Sequence, residues 1–65
     1  MKNGCYEFGF LGDLALRVNN ELNTFEFIVY DYDSRLMKEK SISREEAELI
    51  YTNYNLSDSN LIEEV

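Results

Sequence analysis

The chain has 65 residues, with thirteen Asp and Glu against six Lys and Arg, one cysteine, no histidine and no proline. A net charge of −7 argues against a grip on nucleic-acid phosphates or on an anionic membrane, and one cysteine without histidine excludes an internal disulfide and a closed zinc site. A hydrophobic fraction of 45% is too high for a disordered acidic tail, so residues 1–65 read as a single small domain with a thin core, for which another chain is the remaining supplement.

The first segment, residues 4–10, alternates. Tyr6, Phe8 and Phe10 share one face at period two, which predicts a strand. Gly12 and Asp13 then signal a turn. Residues 14–22 admit two readings. Leu14, Leu16 and Val18 alternate as a strand over 14–18 would, while Leu11, Leu14, Ala15, Val18 and Leu22 fall on one helical face. The strand is preferred, because the next segment offers it a hairpin partner. The helical reading would change the element order to β-α-β-α and leave a two-stranded sheet that leans on dimerisation.

Residues 24–32 form the clearest predicted strand, rich in aromatic and β-branched residues. Phe25, Phe27 and Val29 line one face, and Glu26, Ile28, Tyr30 and Tyr32 line the other. Asp33 and Ser34 leave it, and the segment up to Ser41 reads as a loop or a short helical turn. Ser43 stands three residues before Glu46, the spacing of a capping box, and Ile42 is placed to staple onto Ala47. A helix over 44–54 follows, with Ala47, Ile50, Tyr51 and Tyr54 on its inner face. Ser57 then caps one or two helical turns over Leu61–Val65.

No constellation of residues announces catalysis, and the chain reads as a non-enzyme without cofactor or metal. Asp31 and Asp33 are two apart, as paired carboxylates could be, but strand-end solvation explains them. The same pair opens something like a calcium loop. That match fails at Arg35, at Leu36 in the glycine position and at Ile42 in the terminal glutamate position. Cys5 has no histidine base, and Gly9 and Gly12 lack a phosphate-loop pattern. Arg35, Lys38, Lys40 and Arg44 are the basic cluster, read as balancing the carboxylates beside them. The longest apolar run, Phe27–Tyr30, is far short of the roughly 20 residues of a spanning helix, and no stretch reads as a leader, so a cytoplasmic location is expected, in a cell or an infected host.

Two surfaces are candidates for a partner. After Arg44 the chain carries six carboxylates, Glu45, Glu46, Glu48, Asp58, Glu63 and Glu64, and no base. Such a face can be a solvated coat. It can also steer a basic partner and stand in for the phosphates that a DNA-handling enzyme expects. The second surface is aromatic, made by Tyr30, Tyr32, Ile28 and Tyr54, and would serve partner binding or a homodimer. The general profile, very short, acidic, rich in rings and without histidine, resembles that of small phage-encoded inhibitors of bacterial enzymes and immune systems. The likeness covers no motif and assigns no residue.

The expected fold is therefore α+β. A three-stranded antiparallel meander packs against one C-terminal helix, with a short terminal helix at the end. The expected function is protein binding: a stoichiometric inhibitor or adaptor on a basic surface of a larger protein, such as a nucleic-acid-handling or defence enzyme. The alternative is a structural or assembly component that binds through the aromatic face.

Overall fold

The protein, seen here as a computed structural model, is described over residues 1–31 and 36–62. Five strands run in the sheet: β1 Gly4–Phe8, β2 Leu14–Asn19, β3 Thr24–Tyr30, β4 Leu36–Ile42 and β5 Leu61–Ile62. One helix, α1, spans Arg44–Asn53, and a 3-10 turn spans Asp58–Asn60. The strand order is β4-β3-β2-β1-β5, antiparallel throughout. The three-stranded meander is thus corrected to a five-stranded sheet on one helix. Residues 14–19 pair on both sides as a strand, which removes the β-α-β-α order.

Each of the two added strands was hidden for a physical reason. β4, Leu-Met-Lys-Glu-Lys-Ser-Ile, lacks apolar alternation because it is an edge strand. It pairs with β3 through its backbone and keeps Lys38, Glu39 and Lys40 exposed. The segment expected as loop or helical turn is therefore strand from Leu36. β5 is only two residues long, too short for any periodicity, and exists because Leu61 and Ile62 meet Tyr6 and Cys5. Of the helix expected over Leu61–Val65, Leu61 and Ile62 are strand instead, and residues 63–65 lie outside the described residues. Ser57 caps the 3-10 turn instead, accepting from the Ser59 N–H at 3.3 Å while its own N–H donates to Asn60 Oδ1 at 3.0 Å.

The helix obeys its local signals. Ser43 Oγ accepts from the Glu46 N–H at 3.1 Å, and the Ser43 N–H donates to Glu46 Oε1 at 3.1 Å, a complete capping box. Ile42 packs on the cluster that contains Ala47. At the other end Asn55 takes a left-handed φ of 53°. The Leu56 N–H reaches the Tyr51 carbonyl at 2.9 Å and the Asn55 N–H reaches that of Thr52 at 3.1 Å. This is a Schellman closure, and it drives Leu56 into the core.

Period-two alternation divides the sheet into two faces. Tyr6, Phe8, Leu16, Val18 and Phe25 are buried under α1 with Ala47 and Leu56. Tyr6 and Tyr51 meet edge to face with ring centroids 5.3 Å apart. The buried Tyr6 hydroxyl is satisfied locally, accepting from the Lys2 N–H at 2.8 Å and donating to the Lys2 carbonyl at 3.3 Å. Burial pushes its pKa up. The expected strand face breaks at Phe10, which leaves β1 for the turn and is fully exposed.

Two consequences follow for the fold. Replacing Ser43 with Ala removes an N-cap acceptor and should cost about 1 kcal/mol of stability, read as a lower urea midpoint with the slope unchanged. The second concerns the edge. Two copies pairing β4 with β4 about a two-fold axis would set like charges opposite one another: Lys38 on Lys38, Glu39 on Glu39, or Lys40 on Lys40, depending on register. The double change Lys38→Thr and Lys40→Thr should therefore raise self-association in sedimentation velocity. Unaltered sedimentation would mean that these lysines do not guard the edge.

Candidate protein-binding surfaces

Among the described residues, the C-terminal carboxylates have different surroundings. Glu46 is engaged by the capping box. Its pKa is lowered, first by the Ser43 backbone N–H and then by the Ser43 side chain. Asp58 accepts from Lys2 Nζ at 2.8 Å, an exposed pair that raises the lysine pKa. Glu63 and Glu64 lie outside the described residues. Glu45 and Glu48 remain, both exposed on the outer side of α1. Being three apart, they share one face of the helix, and Leu49, one turn on from Glu45, is 60% exposed. An apolar side chain thus stands beside the carboxylates. With Ala47, Ile50 and Tyr51 packed towards the sheet, the helical period turns Leu49 outward.

The aromatic set is divided as well. Ile28 and Tyr30 lie on the sheet face away from the helix, and Tyr54 lies on the helix side, its ring 4.7 Å from that of Phe8. Tyr32 is outside the described residues. Ile28 is fully buried together with Cys5 and Ala15, although no helix among the described residues covers that face, and Tyr30 packs against the three of them, half-buried. The rest of the roof is charged. Arg17 Nη1 lies 3.0 Å from Glu39 Oε1 and 3.6 Å from Glu26 Oε1. The register puts Arg17 on β2 and Glu39 on β4, so this ion pair crosses β3 beside Ile28. The aliphatic stem of the arginine can shield apolar neighbours while its head stays wet. The open face is therefore polar and closed over its small apolar centre.

Within this network Glu26 has a raised pKa. A hydrogen bond shared with Glu39 is the largest cause and burial the second, and both outweigh the attraction of Arg17. Tyr30 is raised by burial first. Among the described residues no group of three or more Cys, Asp or Glu is placed to hold a metal ion, and no helix is long and apolar enough to cross a membrane.

A third surface went unpredicted. Phe10 is 99% exposed and Leu11 75% exposed, at the tip of the β1–β2 hairpin. The signal was present in the sequence. Gly9 and Gly12 bracket two apolar residues, and both adopt positive φ, 92° and 66°. The turn they close has to hold Phe10 and Leu11 away from the sheet.

Comparison with family models, curated proteins and solved structures finds no match to this chain.

The Glu26 shift sets a pH dependence. A carboxyl that holds its proton more tightly folded than unfolded adds stability at low pH, and that contribution fades as pH rises through the raised folded value. Relative to Glu26→Gln, the wild type should therefore gain stability as pH falls from 7 to below the ordinary carboxylate value of 4.5. Paired urea titrations across that range check this. A gap that stays constant with pH would show that the fold does not raise the Glu26 carboxyl.

Proposed function

We propose that this chain is a protein-binding module, a stoichiometric inhibitor or adaptor that docks on a basic surface of a larger protein. A nucleic-acid-handling or defence enzyme would present such a surface, in the manner of the partners of small phage-encoded inhibitors. The observation that carries the reading is the outer stripe of α1. Glu45 and Glu48 are exposed there, and a bare Leu49 stands one turn on from Glu45. Desolvating one apolar side chain inside a polar rim is how many interfaces concentrate their affinity. The carboxylates, with a net −7 behind them, would speed the encounter with a basic groove and fix its register.

The assembly reading draws less support, because Ile28 is buried and Tyr54 is on the other side of the sheet from Tyr30.

The stripe makes a direct test. The wild type and the Glu45→Lys, Glu48→Lys double variant are each used as bait in lysate of the native host, and the captured protein is then purified and titrated. Both changes are at exposed positions, so circular dichroism should be unaltered, and melting should fall only slightly, because Glu45 lies in the first turn where a helix favours negative charge. Affinity should fall by about tenfold or more, and the wild-type affinity should weaken with added salt. Equal affinity of the two baits at low salt would remove α1 from the interface.

A further inference from the structure

We propose that the hairpin tip Gly9-Phe10-Leu11-Gly12 is a preformed apolar anchor that inserts into a cleft with a basic rim on a partner protein. The inference rests on the protein-binding reading and adds a second, apolar contact to it.

The tip is built to stay where it is. The Gly12 N–H donates to the Gly9 carbonyl at 3.3 Å, closing the turn around Phe10 and Leu11. Both glycines have backbone angles that other residues rarely adopt. A Cβ on Gly9 would also come within 2.5 Å of Asp13 Oδ1. The Asp13 carbonyl accepts from the Tyr30 N–H at 2.8 Å and so ties the loop to β3. An aromatic and a leucine side chain are therefore held out in water by a constrained backbone, so little ordering remains to be done on binding.

The surroundings choose the occupant. Asp13 closes the loop, Asp31 follows the Tyr30 to which the loop is tied, and the whole chain carries −7. An anionic lipid surface would be repelled by that charge. A second copy would bring the same negative charge. Two tips facing one another would also bury far less than the roughly 800 Å² per partner of a stable flat interface. A cleft that encloses Phe10 and Leu11 recovers most of their surface, and cationic residues at its mouth complement the two aspartates. Tyr54, half-exposed on Phe8 at the same end of the sheet, extends the contact towards α1.

The opposite hairpin supplies the control, since Leu22 is 72% exposed at the β2–β3 tip. Benzoyl-phenylalanine is placed at Phe10, or at Leu22, in the full chain expressed in its native host, and crosslinks are mapped by mass spectrometry. The crosslinked protein is then purified and titrated with Phe10→Ser, Leu11→Ser, Leu22→Ser and the α1 charge-reversed variant. The expected result is a crosslink from Phe10 into an apolar cleft lined by Lys or Arg. Phe10→Ser should then lose about tenfold or more in affinity with an unchanged melting temperature, while Leu22→Ser binds as wild type. Crosslinks to lipid, to a second copy alone, or equally from both positions would overturn the proposal, as would full affinity of Phe10→Ser. Full affinity of Phe10→Ser with loss in the charge-reversed variant would reject the tip and leave the protein-binding reading standing. Absence of any binding protein would reject both.

Discussion

The structure depends on one helix serving five strands. Ala47, Ile50 and Tyr51 of α1 cover Tyr6, Leu16, Val18 and Phe25, and the larger of the two buried clusters lies in that layer. The chain leaves β4 at one edge, crosses the sheet as α1, and returns as β5 at the other edge. The helix is therefore both lid and connector. Its fixed ends, a capping box and a Schellman closure, set where the crossing starts and where Leu56 enters the core. In a domain this small a frayed helix would uncover most of the core at once.

A single lid leaves the second sheet face to protect itself. It does so with short apolar residues, Cys5, Ala15 and Ile28, under Tyr30 and beside the Arg17–Glu26–Glu39 network. Exposed ion pairs contribute little stability on their own. Here their value is geometric, because the arginine reaches across β3 and occupies space that a partner or a second helix would otherwise fill. Exposed apolar side chains stand elsewhere, among them Leu49 on the outer stripe of α1 and Phe10, Leu11 and Leu22 at the ends of the hairpins.

The acidic composition has two consequences that pull apart. Some carboxylates are consumed by the fold, as Glu46 is by its cap and Asp58 by Lys2. Others, Glu45 and Glu48, are left at the surface with an apolar neighbour. A count of charges along the chain cannot separate these groups. Both obey the same preference for negative charge near a helix start or in water, and the hydrogen bond alone divides them.

Local signals in the sequence determined the helix, both of its ends, the clear strand at 24–30 and the alternation that buries Tyr6, Phe8 and Phe25. These follow from side-chain period and cap chemistry, which act over a few residues. The tertiary structure decided the rest. Strand or helix at 14–19 was settled by pairing with β1 and β3. Two edge strands arose where β4 had a charged centre without apolar alternation and β5 only two residues. Ile28 was sealed by neighbours from other strands, and Phe10 was cast out by its glycines. Each of these outcomes depends on contacts between residues far apart in the chain or on which side of a turn the backbone faces, and hydrophobic periodicity carries neither.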